Sequence, residues 1–234
     1  MTKMLYMEDC YLKEFDAIVT AVEGSKVELD QTAFYPESGG QPADFGSLSG
    51  NGAEYKVVNT IKDKGRVLHG LDKPGLNPGD KVHGKIDWER RYIFMRYHTA
   101  CHVLSTIIHN TTGAEITGNQ IGLDQTRVDF SLKEFDREHF NNYVIAANRL
   151  LDDARKVTLR MLPREEAFQI PALVKLRMLL PESIKIIRIV DIDGFDQQAC
   201  AGTHVANTKE VGHIKVVDMK NKGADNRRAY FVLE

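Results

Sequence analysis

Cysteine is scarce in this chain. Only Cys10, Cys101 and Cys200 occur, an odd and sparse set that excludes a disulfide framework and fits a reducing compartment, so any cysteine chemistry is metal or thiol chemistry. Long apolar runs are lacking too. The opening MTKMLYMEDCYLKEF has no apolar core of signal-peptide length and no stretch reads as a membrane span, which predicts a soluble cytoplasmic protein. Neither charge sign dominates: 31 Lys and Arg stand against 33 Asp and Glu, a formal net charge of -2. Bulk attraction to nucleic acid is thereby excluded, and an RNA partner would have to be held by local basic patches. What is present is a globular composition, 234 residues with 42% hydrophobic and 27% charged content, enough for one large core or two modest ones.

The hydrophobic period changes once, at the single tryptophan, Trp88. Ahead of it only strands are expected. Phe15 to Leu29 reads as a hairpin around Glu23-Gly24-Ser25, further turns stand at Asn51-Gly52 and Lys64-Gly65, and short apolar runs cover Tyr55 to Ile61, Val67 to Leu71 and Lys81 to Ile86. This spacing predicts a small antiparallel β-barrel over residues 1–88. Beyond it, Ile93, Tyr97, Ala100, Cys101, Leu104, Ile107 and Ile108 recur at three- and four-residue steps, predicting an amphipathic helix that ends at Asn110 and Gly113. A second helix is expected over Glu134 to Arg155, with Ser131 and Glu134 at capping-box spacing and Phe140, Val144, Ala147, Leu150 and Leu151 as its stripe. Strand-like runs at Thr158 to Leu162, Ile184 to Val190, His213 to Asp218 and Ala229 to Leu233 are expected to form one sheet, with a short helix around Ala172 to Leu180. Residues 89–234 are then an α+β domain of helices on an antiparallel sheet, and the whole chain is α+β.

Chemistry concentrates in two segments about a hundred residues apart, His98-Thr99-Ala100-Cys101-His102 and Cys200-Ala201-Gly202-Thr203-His204. Residues four apart on a helix lie one turn above each other, so His98 and His102 can present imidazole nitrogens to one ion. The second pair adds a thiolate and a third imidazole. The resulting mixed nitrogen and sulfur set of four favours one zinc per chain over calcium or magnesium. Either pair alone is more often a solvated or hydrogen-bonded face than a metal site; the weight comes from two compact pairs among eight histidines and three cysteines. Cys101 is the nearest competitor as a ligand, though its place on the helix suits core packing better. His69, His83, His109, His139 and His213 have no ligand-spaced partner and read as ordinary histidines. A zinc-protease helix places Glu directly after its first His; here that position is Thr99, which disfavours peptide cleavage and favours an activated ester as substrate.

These segments, with Arg127-Val128-Asp129-Phe130-Ser131 between them, resemble the editing domain of alanyl-tRNA synthetases and the stand-alone AlaX proteins. Thr32-Ala33-Phe34-Tyr35-Pro36-Glu37-Ser38-Gly39-Gly40-Gln41-Pro42 is similar to the glycine-rich motif that precedes that domain, so the resemblance covers nearly the whole chain. Ala201 departs from the usual Gly, and Ser38 from a third Gly. The resemblance implies a translation-factor-like barrel followed by a zinc-binding editing domain, with His98, His102, Cys200 and His204 as ligands. It implies hydrolysis of seryl-tRNA, and glycyl-tRNA, mistakenly made on alanine tRNA, with alanyl-tRNA spared. The length suits the medium-sized members, acting in trans, with no membrane and no obligate protein partner expected.

Discriminating serine from alanine needs a polar contact, because an apolar pocket rejects an added hydroxyl poorly. In relatives a threonine just before the glycine-rich motif fills that role, which makes Thr32 the candidate. Gln41, from the glycine-rich loop, and Gln120, from an expected turn over Gly118 to Gly122, are further substrate-binding candidates, and Thr203 beside His204 is a candidate to orient water or the ester. For tRNA contact the densest basic clusters are Arg90, Arg91 and Arg96, then Lys220, Lys222, Arg227 and Arg228. Two other readings stay open: a non-catalytic RNA-binding protein with structural zinc, and a metallohydrolase of small esters or amides.

Overall fold

The computed structural model describes residues 2–63, 65–133, 136–171, 173 and 180–234. The chain divides into two compact units, Met1–Met95 with Ile121–Leu123, and Arg96–Gln120 with Asp124–Glu234.

In the first unit the strands are β1 (Lys3–Met4), β2 (Glu14–Glu23), β3 (Lys26–Leu29), β4 (Gln31–Thr32), β5 (Gly46–Gly50), β6 (Ala53–Asp63), β7 (Arg66–Leu71) and β8 (Lys81–Ile86). Six of them close an antiparallel barrel in the order β2-β3-β7-β6-β5-β8, while β1 pairs with β4 in parallel. The hairpins form where expected. Asn51 and Gly52 both take positive φ, 53° and 73°, the pairing a two-residue hairpin turn requires. Alternation along β2 turns Phe15, Ala17 and Val19 inward, where they join Val27, Leu29, Phe34, Leu48, Tyr55, Val57, Val82 and Ile86 in the barrel core. Burying each of the larger side chains contributes on the order of 1.5–3 kcal/mol. Strand β5 carried no sequence signal, since Gly-Ser-Leu-Ser-Gly offers one apolar residue. Its pairing with β6 and β8 is what closes the barrel. Beside the core, Arg91 is fully buried and donates to both carboxylate oxygens of Asp44 and to the carbonyls of Cys10 and Ala33. Asp44 also accepts the Tyr35 N–H at 2.6 Å, so the segment around the glycine-rich motif is tied down by a paired charge.

Helix α1 (Trp88–Thr112) ends where Gly113 takes φ +74° and closes the last turn through a hydrogen bond to His109 O, as its expected stop demanded. The expectation of amphipathicity fails. Besides its apolar stripe, His98, Thr99, His102, Ser105 and Thr106 are buried as well, so its polar positions do not form an exposed face.

The second unit continues with β9 (Ile116–Gln120), β10 (Thr126–Phe130), α2 (Arg137–Asp152), β11 (Val157–Pro163), α3 (Arg164–Ala167), β12 (Ile186–Ile192), β13 (Asp196–Ala199), β14 (Ile214–Asn221) and β15 (Arg227–Leu233). The expected stripe of α2 is the face it buries, and α2 packs on β14. Its start differs from the sequence reading: Glu134 lies outside the described residues, and the cap is Asp136, whose carboxylate accepts the N–H groups of Glu138 and His139. The helix expected around Ala172 to Leu180 falls mostly outside the described residues. The single expected sheet is two, ordered β14-β15-β10-β9 and β11-β12-β13. The reason is that β10 takes the edge of β15 and β13 takes that of β12, and β13, Asp-Gln-Gln-Ala, is too short and polar to announce itself as a strand. Gly118 to Gln120 accordingly lie in β9, paired with Asp129 to Arg127, rather than in a turn.

Candidate metal centre

His98 and His102 project from consecutive turns of α1, their ring centroids 5.4 Å apart. Cys200 directly follows strand β13, and the loop before a 3-10 turn at Thr208–Val211 carries His204. The His204 ring stands 4.4 Å from that of His98 and 4.6 Å from that of His102, centroid to centroid. Cys200 Sγ lies 3.5 Å from His98 Nε2 and 3.4 Å from His204 Nε2, and one donor atom from each of the four residues falls within 4.8 Å of the others. A tetrahedral ion with bonds of about 2.3 Å to sulfur and about 2.0 Å to nitrogen separates those donors by roughly 3.5 Å. Spacing and donor chemistry therefore both fit a metal ion.

The loop after β13 is built for this approach. A Cβ at Gly202 would stand 2.0 Å from His98 Cε1 and 2.3 Å from its Nδ1, so only glycine lets the backbone pass behind that ring. Arg188 donates to the carbonyls of Cys200 and Gly202 at 2.7 and 2.8 Å, and the Gly202 N–H points at Cys200 Sγ at 3.4 Å. Ala201 is not among the residues at positive φ, so alanine there carries no backbone strain. Thr99, noted in the sequence only for not being glutamate, has its hydroxyl 3.1 Å from His204 Nδ1 and accepts the Val205 N–H at 3.3 Å. It fixes the ring whose other nitrogen faces Cys200.

Burial opposes ionisation of the Cys200 thiol, yet the surrounding rings of His98, His204 and His102 hold it well below its ordinary range. Burial, then the proximity of His98, pushes His204 down. These are the thiolate and neutral imidazole that metal binding requires. Cys101 is the opposite case. Burial pushes its thiol up to about 12, and it stands outside the group of four, in the core.

Residues 4–90 match the family model described as tRNA synthetases class II (A), and residues 187–230 match that of the threonyl and alanyl tRNA synthetase second additional domain. The whole chain is 48% identical to the alanyl-tRNA editing protein AlaX-M of Methanosarcina barkeri, covering 99% of it, and 49% identical to that of Methanosarcina mazei, covering 97%. The chain belongs to the AlaX-M family of alanyl-tRNA editing proteins. Over 92% of its length it is also 42% identical to the alanine--tRNA ligase of Pyrococcus abyssi, of which it spans 24%.

Within this AlaX-M chain the other sequence-derived candidates have varied surroundings. Thr32 and Gln41 are fully buried in the first unit; Thr203 is fully buried beside His204 in the second, and Gln120 is exposed. Of the basic residues, Arg91 and Arg227 are buried structural cations. Arg227 donates to Asn221 Oδ1 and to the carbonyls of Lys133, Gly223, Ala224 and Asn226, which closes the β14–β15 turn and leaves it badly placed for phosphate. Arg228 is held bidentately by Asp129 at 2.7 and 2.9 Å, Arg96 donates to Val211 O, and Arg90 donates to Ala43 O while stacking on Phe45 and Phe94. Lys220 and Lys222 are the exposed pair. A cavity of about 720 Å³ opens in the second unit, with Thr106, Phe195, Asp196 and Gln198 among its lining.

Proposed function

We propose that this chain is a zinc-dependent aminoacyl-tRNA deacylase that removes serine, and glycine, from mischarged alanine tRNA in trans and spares alanyl-tRNA. Full-length similarity to AlaX-M proteins carries the reaction class, and the buried His98, His102, Cys200 and His204 cluster supports the metal. Three imidazoles and a thiolate at tetrahedral spacing suit zinc best among the common divalent ions. Bound there, zinc would supply polarisation and a fixed positive charge.

The remaining work falls to the chain. An aminoacyl ester with a neighbouring ribose hydroxyl is already labile, so positioning supplies much of what hydrolysis needs. Thr203, next to a ligand in sequence, is assigned to orient water or the ester carbonyl; Gln41 and Gln120 are assigned to hold the substrate; Thr32 is assigned to the serine hydroxyl. Lys220 and Lys222 are the phosphate contacts this reading favours. Functionally, residues 1–88 form the glycine-motif barrel domain and residues 89–234 the editing domain.

One observation favours a second reading. Four protein donors fill a tetrahedral shell, as in structural zinc sites, which suits an RNA-binding protein with no hydrolytic role. Deacylation of seryl-tRNA and alanyl-tRNA for alanine, with zinc quantified, separates the two. Loss of serine with alanine retained is expected; one zinc per chain without cleavage of either ester would leave only the structural role.

A further inference from the structure

Strand β13 does more than lead into Cys200. At its first residue, Asp196, the carboxylate Oδ2 faces His102 Nδ1 at 3.7 Å, with the two side chains 9% and 8% exposed. Neither atom has a hydrogen-bond partner, and both are buried. A buried carboxylate oxygen and a buried ring nitrogen, each unsatisfied, are costly to fold. Their facing one another, on a residue of the ligand cluster, is a reason for that cost to be tolerated. An imidazole that binds a metal through one nitrogen carries its proton on the other, and that proton needs an acceptor to fix the ring. For His204 the acceptor is Thr99, at 3.1 Å. For His102 it is a carboxylate, which holds the ring more firmly and makes its metal-facing nitrogen more basic.

We propose that Asp196 is the positioning residue of the metal centre, accepting the Nδ1 proton of His102 so that Nε2 faces the ion. The proposal rests on the metal reading above. Pairing with Ile192 of β12 fixes Asp196 in register, so one short strand carries the group that orients a ligand and leads directly into another ligand, Cys200.

The test compares the full chain with Asp196→Asn and Asp196→Glu. Zinc affinity is read by competition with a chromophoric chelator, the cobalt-substituted absorption spectrum is recorded, and the metal-free proteins are melted. Asp196→Asn is expected to weaken zinc binding by about 10–100-fold and to shift the cobalt bands, with a cooperative melt of the metal-free protein showing that the variant still folds; Asp196→Glu should recover part of the affinity. A carboxylate that only lined the cavity would not move the metal readouts. Zinc affinity of Asp196→Asn within about twofold of the parent would overturn the proposal. So would nitrogen chemical shifts of the zinc-loaded parent that put the metal on Nδ1 of His102, a measurement that needs no variant. A parent that binds no zinc at all would instead sink the metal reading itself.

Discussion

The Thr32 hydroxyl lies 2.8 Å from Nε2 of His69 in the barrel, and Nδ1 of the same ring lies 3.2 Å from the Val27 carbonyl. A carbonyl only accepts, so Nδ1 carries the proton, Nε2 accepts, and Thr32 donates. Its oxygen also accepts the Phe34 N–H at 3.1 Å, which leaves one lone pair. Thr32 can therefore receive a hydrogen bond from a ligand hydroxyl but has no proton to offer one. With Thr32→Val, zinc content should stay unchanged while the preference for seryl over alanyl ester falls by at least about 2–10-fold, the net value of one neutral hydrogen bond. An unchanged ratio would remove Thr32 from the pocket.

The same ring makes the barrel sensitive to acid. Burial pushes His69 down from 6.5 to about 4, against a smaller opposing effect of the Val27 carbonyl. The unfolded chain thus takes up this proton first. The stability contributed by the neutral ring is complete above pH 6.5 and is lost as pH falls toward 4, by up to about 3 kcal/mol. Melting temperatures of the parent and His69→Gln, measured from pH 7 to pH 4.5 at equal metal loading, should converge toward acid.

Removing the soft ligand tests the cluster directly. Cys200→Ser should reduce zinc affinity by more than the roughly 10–100-fold typical of a lost outer partner, and deacylation should fall with it. Retention of one tightly held zinc per chain would take Cys200 out of the shell.

Gly202→Ala adds a single methyl group where the His98 ring already stands, at 2.0 Å from the nearest ring atom. Since the neighbour is a metal-facing ring rather than a flexible tip, the loop or the ring must move. Zinc affinity should drop steeply. Wild-type affinity would mean that the loop relaxes freely.

Lys220 and Lys222 are exposed, and Lys220 lies 3.3 Å from Asp218. Reversing both charges should raise KM for tRNA, leave kcat nearly unchanged, and flatten the salt dependence by roughly one unit of slope per lost phosphate contact. An unaffected KM would send the search for the RNA surface elsewhere.

Much of this architecture was legible in advance where local pattern and tertiary need coincide. The barrel hairpins follow from alternating residues and positive-φ turns, the α2 stripe from spacing, and the cluster of four from two ligand pairs. What escaped depended on long-range partners. Strand β5 exists because β6 and β8 need a neighbour, and β9 holds Gly118 because its pairing with Asp129 outweighs glycine's reluctance. Charge clusters misled for the same reason: Arg91 and Arg227 look like surface cations in sequence and become buried only because Asp44 and a ring of carbonyls receive them. Asp196 and Thr99 gave no signal, because a group that orients a ligand has no fixed spacing from it.

An ion held by the cluster would also act as a reversible staple. It would join α1 to the segment after β13, closing a loop of roughly a hundred residues, and a permanent link of that span is worth about 4–5 kcal/mol of lost chain freedom. Within that loop lie all three strands of the β11-β12-β13 sheet. Stripping the ion would release both ends at once, so protease cutting between α2 and Cys200 should report metal occupancy as faithfully as any direct assay. In a cell short of zinc, such a chain would be lost by degradation as well as by inactivity.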